Sequence, residues 1–298
     1  MTTASPTQIA PPSANRPAAG LSLSSLWTLY TLTLRQHQHG KRWMIMAILM
    51  LLPAGLAILV RGTAHDVPRI AQEFVFAFMF IPQALLPLAA LIYASGMIQD
   101  EQEEQTITYL LMRPIPKWAI YVVKLLATLT VTIFLTVIFT ALTYAAIYLG
   151  TDSNMSDVLL RCFKACLLHS LAVTAYCCLF GLLSLITKRI LIVGILYIAI
   201  FEGLFANLAF GIRLITVIYY ARLIAYHTLP FIATIPGGIE NFAADAWQLD
   251  IATDPTLDTY PHMGTCIMVL VIASIICTAL AAYLCSRREF HVKTPEKA

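Results

Sequence analysis

The chain has 298 residues, 59% of them hydrophobic and 12% charged, with a mean hydropathy of +0.77 and a formal net charge of +3. Soluble domains carry about 25% charged residues, so a chain this poor in charge has too little polar surface to cover a water-soluble globule. Apolar runs longer than the ~18 residues that suffice to cross a bilayer recur, which excludes a soluble enzyme, a disulfide scaffold or a disordered tail and indicates a polytopic membrane protein.

Residues 1–20 are rich in Pro, Ala, Ser and Thr, carry one charge (Arg16) and lack the apolar core of a signal peptide. They are expected to form a disordered cytoplasmic tail. Residues 21–42 place Leu26, Leu29, Tyr30 and Leu34 at helical spacing ahead of a basic end with Arg35, His37, His39, Lys41 and Arg42. That pattern predicts an amphipathic helix in the membrane interface, its cationic end near anionic headgroups. Six spans follow, at 43–60, 74–98, 118–149, 165–186, 190–210 and 263–285, and residues 287–298 form a basic cytoplasmic tail. Pro82 and Pro87 remove backbone donors from the second span and are expected to kink it inside the bundle.

With the N-terminus inside, 13 of the 19 Lys and Arg residues fall on the inner side. This obeys the positive-inside bias and puts both termini in the cytoplasm. Arg161 and Lys164 dissent, because they flank the outer start of the fourth span. Residues 211–262 make a long external segment. Leu214, Ile215, Ile218, Tyr219 and Leu223 point to an amphipathic or re-entrant helix, and Glu240, Asp245, Asp250, Asp254 and Asp258 among prolines and glycines point to a hydrated loop. The seven cysteines lie in or beside apolar runs and read as small buried hydrophobes, with no metal-ligand spacing.

The connection between the second and third spans holds the densest chemistry. Asp100, Glu101, Glu103 and Glu104 crowd what reads as the start of a short helix, where negative charge suits the backbone dipole. Ile107, Leu110 and Leu111 form an apolar stripe, and Arg113, Pro114 and Pro116 close it. Two readings stand on these residues. One is a lever presenting an acidic head to a soluble partner; the other is a solvated connector resting on the lipid interface.

The run Asp100-Glu101…Glu104-x-Thr106-x-x-Tyr109-Leu110-Leu111-x-Arg113-Pro114-x-x-Lys117…Lys124 resembles the signature loop of ABC-2-type transporter permeases. The segment from Glu202 to Leu208, followed by Tyr219 and Tyr220, is similar to that family's Glu-containing fifth helix. Gln105 stands where the family commonly has Gly, and Lys117 where Arg is commoner. The resemblance implies an all-α membrane protein with six transmembrane helices over 43–286, an N-terminal interfacial helix and a cytoplasmic coupling helix between helices 2 and 3. It further implies that Asp100, Glu101, Glu103, Glu104, Thr106, Ile107, Leu110, Leu111, Arg113 and Pro114 dock on a separate cytoplasmic ABC ATPase, that a second permease copy completes a dimer, and that the transport is export. ATP and Mg then belong to the ATPase partner. This chain is expected to hold no cofactor, no metal and no catalytic residue, and it contains no GxxxxGK[ST] phosphate loop.

Glu202 lies 13 residues beyond Arg189, on the order of 20 Å into the fifth span. A carboxylate at that depth costs roughly 2.5–3.5 kcal/mol and normally faces a cavity or a partner. With Asn207 it reads either as part of a translocation path or outer gate, or as a structural polar pin. Rival functions are an intramembrane enzyme, which would need a nucleophile–base pair or metal ligands, and a non-transporting membrane scaffold. The substrate is not legible, and no nucleic-acid partner is expected.

Overall fold

The computed structural model describes residues 23–39, 41–63, 67–103, 116–151, 153–208, 211–235, 238–247 and 261–287. Helix α1 (Leu23–His39) precedes α2 (Lys41–Thr63), the first span. The second span, α3, is one continuous rod made of an α-turn (Arg69–Glu73), a π-helical stretch (Phe74–Leu85) and a regular α-helix (Leu86–Glu103). The third and fourth spans are α4 (Lys117–Tyr148) and α5 (Met155–Ile186), each 32 residues long. At about 1.5 Å per residue they reach about 48 Å, well beyond a ~30 Å hydrocarbon core. The fifth span begins as α6 (Ile190–Tyr197) and continues as a π stretch (Ile198–Leu204) and a 3₁₀ turn (Phe205–Asn207).

Beyond a second 3₁₀ turn (Gly211–Ile215) come α7 (Val217–Thr228), strands β1 (Ile232–Ile235) and β2 (Gly238–Asn241), α8 (Phe242–Trp247) and the sixth span, α9 (Met263–Arg287). The strands form an antiparallel hairpin with Ile232 opposite Asn241 and Ile235 opposite Gly238. Among the described residues six helices are therefore long and apolar enough to cross a membrane, and the architecture is the all-α bundle expected. The hairpin occupies sequence read as loop. Its strands are four residues each, too short for alternation to show. The acids Asp250, Asp254 and Asp258 lie outside the described residues.

The second and fourth spans form the centre, 61% and 67% buried, whereas the first, fifth and sixth are 28%, 22% and 17% buried and keep broad apolar faces outward. Close approach at the centre depends on glycine. A Cβ on Gly181 would stand 2.7 Å from the Tyr121 hydroxyl, and Gly194 accommodates the Leu91 side chain in the same way.

The fourth span starts ten residues earlier than hydropathy alone suggests, because Arg161 and Lys164 interrupt an apolar run that is already helical from Met155. Pro82 falls inside the π stretch. There each N–H bonds to the carbonyl five residues back, so the missing donor of Pro82 leaves the Ala77 carbonyl without its helical partner. The buried His169 ring lies against that carbonyl, while its Nδ1 pairs with the Thr140 hydroxyl at 3.0 Å. A neighbouring side chain thus stands where the proline opened the backbone. Thr140 belongs to a buried row on α4 with Thr128, Thr132, Thr136 and Thr143. Helix α1 packs on this row's Lys117 end, with Tyr30 Oη 2.9 Å from Thr130 and His37 Nε2 3.1 Å from Thr128.

Candidate functional site

Three constellations concentrate the polar chemistry. The first is the end of α3. With no proline or glycine between Ile98 and Glu103, the helix begun at Leu86 runs unbroken to Glu103. Asp100, Glu101 and Glu103 therefore extend the second span rather than open a new helix. Glu104, Thr106, Ile107, Leu110, Leu111, Arg113 and Pro114 lie outside the described residues. Within the described part of this end of α3 there is a tether: Lys124 on α4, 1% exposed, donates from Nζ to the Met97 carbonyl at 2.9 Å. A charge-assisted hydrogen bond of this kind contributes about 1.5–3 kcal/mol, and it joins the acid-bearing end of α3 to the base of α4. Nearby, Cys285 of the sixth span contacts the Lys117 carbonyl at 3.6 Å.

The second surrounds Glu202, which is fully buried in the π stretch of the fifth span. Its carboxylate oxygens accept from the backbone N–H groups of Val217 at 3.1 Å and Ile218 at 3.0 Å, the first residues of α7. Tyr197 donates to the same carboxylate at 3.1 Å. The N-cap position of α7, Thr216, makes no capping bond with its own side chain, so a carboxylate from another segment takes that role. Negative charge there also meets the positive pole of the helix dipole.

Asn207 sits five residues further on. Its Oδ1 accepts from Arg222 at 3.0 Å, and its Nδ2 donates to the Gly203 carbonyl at 2.5 Å. Arg222, 4% exposed, also donates to the Ala206 carbonyl at 3.3 Å and to Gln83 of the second span at 3.2 Å. The structure thus gives Glu202 and Asn207, with the Ala206 carbonyl, a common role: all three are fifth-span groups that hold α7. Ile218, Tyr219, Ala221, Leu223, Ile224 and Ala225 of α7 are buried as well, so this helix enters the bundle instead of lying on its surface.

The third constellation escaped sequence analysis. Glu73, fully buried, accepts from Tyr144 Oη at 2.7 Å, from Tyr148 Oη at 2.5 Å and from Arg161 Nε at 3.0 Å. It joins the second, third and fourth spans at the end opposite Lys117. Phe74 and Phe78 pack here against Phe231 and Trp247, with ring centroids 4.9–5.3 Å apart. The only sequence signal was a lone acid at the edge of an apolar run. Nothing local connects it to the Tyr144/Tyr148 pair.

Among the described residues no cluster of His, Cys, Asp or Glu has the makings of a metal site, and all seven cysteines are free thiols. Residues 38–207 match the family model described as ABC-2 family transporter protein. No curated protein matches the chain. The matched segment covers more than half of the sequence and contains the first five spans, so the chain belongs to the ABC-2 transporter family as an integral membrane protein.

Proposed function

We propose that this ABC-2 family membrane protein is the permease subunit of an ATP-driven exporter, working as a dimer with a separate cytoplasmic ABC ATPase that binds ATP and Mg. The observation that carries the reading is the end of α3. Three of the four clustered acids lie on the helix that continues the second span, one of the two most central, and Lys124 ties that helix to α4. A force applied to the 100–113 segment by an ATPase then passes into the bundle core as a rigid-body displacement, because packed interiors transmit strain. The Lys117 end faces the cytoplasm in this arrangement, as do both termini, in keeping with the positive-inside bias. In the docked state the acids pair with basic residues of the ATPase and Leu110 and Leu111 supply apolar anchorage.

Co-purification tests it. The wild-type chain retains its cognate ATPase, and the double substitution Leu110→Asp with Leu111→Asp abolishes retention while leaving the permease folded. Retention that survives both substitutions would sink the docking assignment. Within this reading Glu202 and Asn207 act on transport by setting the position of α7.

A further inference from the structure

Helix α7 has charge at both poles of its dipole, and each charge comes from a different span. At its N-terminal end stands Glu202 of the fifth span, accepting from the Val217 and Ile218 N–H groups. At its C-terminal end the fourth span presents two cations. Lys164 Nζ donates to the Thr228 carbonyl at 3.2 Å, and both terminal nitrogens of Arg161 donate to the Pro230 carbonyl at 3.2 Å. The last carbonyls of a helix have no partner within it, and cations there complement the dipole. Arg161 has a second attachment, its Nε resting on both oxygens of Glu73 at 3.0 Å, so the guanidinium bridges the second span to the segment that leaves α7.

We propose that Arg161 and Lys164 are positioning residues that clamp the C-terminal end of α7, opposite the Glu202 clamp on its N-terminal end. The depth of the helix follows from its anchors. Lys164 meets its last turn and Tyr176 lies beside Glu202 at its first; these residues are 12 positions apart on α5, or about 18 Å, and the 12 residues of α7 span the same distance. The helix therefore runs alongside α5 from the middle of the bundle to the Tyr148 end, bolted at both. The same arrangement accounts for two basic residues at the end of the fourth span where the positive-inside bias disfavours them: Lys164 is held by the Thr228 carbonyl of α7, and Arg161 by Glu73 and the Pro230 carbonyl just beyond α7, rather than by lipid headgroups.

Hydrogen–deuterium exchange of the full-length permease in lipid nanodiscs tests the assignment. Arg161→Met and Lys164→Met each raise exchange over residues 225–231 by about tenfold and leave residues 217–221 within about twofold. Glu202→Gln gives the reverse pattern. Arg161→Lys, which keeps a donor for the Pro230 carbonyl, restores most of the protection at 225–231. Equal increases at both ends, or unchanged exchange at 225–231 in both cation variants, overturns the proposal. Lys164 is half-buried and makes no bond to Glu73, so Lys164→Met still decides the matter if Arg161→Met does not fold.

Discussion

Glu73→Gln is the most informative single substitution in this molecule. The carboxylate is fully buried and satisfies three donors at once: two phenols at 2.7 and 2.5 Å and the Arg161 Nε at 3.0 Å. A glutamine of the same shape keeps one acceptor oxygen but turns an NH2 group toward groups that are themselves donors. Breaking a buried ion pair by removing one partner costs about 3–5 kcal/mol. The Arg161 side chain is 16% exposed, so the guanidinium partly rehydrates, and about 2–3 kcal/mol is the better expectation. At about 2 °C per kcal/mol for a chain of this size, the midpoint of thermal unfolding falls by about 5 °C. Accessibility of the buried Cys177 thiol to a maleimide dye during heating of the purified protein reads it directly. A double-mutant cycle with Arg161→Met then isolates the pair, with an expected coupling of about 2 kcal/mol. Additive effects to within about 0.5 kcal/mol would refute the reasoning, since they would mean that the two side chains stabilise the bundle independently.

Other consequences follow from particular contacts. Lys124→Met removes the tether to the Met97 carbonyl; under the proposed function, stimulation of the partner ATPase should fall several-fold while its binding persists, and loss of binding with it would instead make Lys124 part of the docking surface. Gly181→Ala drives a Cβ against the Tyr121 hydroxyl and should cost about 1–3 kcal/mol, of which Tyr121→Phe in the same chain recovers a part; thermal unfolding of the single and double variants measures both. Thr140→Val leaves His169 Nδ1 without its hydroxyl partner and should lower stability by about 1–2 kcal/mol, whereas Thr130→Val, at an exposed hydrogen bond to Tyr30, should change it by less than about 0.5 kcal/mol. If the two threonine variants unfold at the same temperature, the buried row contributes nothing specific.

The amphipathic pattern at Ile218, Tyr219 and Leu223 was legible as a helix, and Glu202 and Asn207 were legible as polar groups out of place in a span. That they meet α7, and that Glu202 acts as a cap in place of Thr216, depends on how the chain returns into the bundle after Asn207. Likewise the acids at 100–103 were legible as a cluster, but assigning them to the end of the second span required seeing that the helix from Leu86 does not stop before them.

By itself the sequence determined six spans, a family and the positions where charge is anomalous. Hydropathy is a sum over adjacent residues, so a window of the chain already contains the free energy that places it in the membrane. The tertiary structure decided what those anomalous charges do. Glu73 finds Tyr144, Tyr148 and Arg161 across separations of 71, 75 and 88 residues, and Glu202 finds the start of α7 across 15 and 16. A buried charge is tolerable only where donors converge on it within hydrogen-bonding distance, and that convergence is a property of packed helices, which no window along the chain contains.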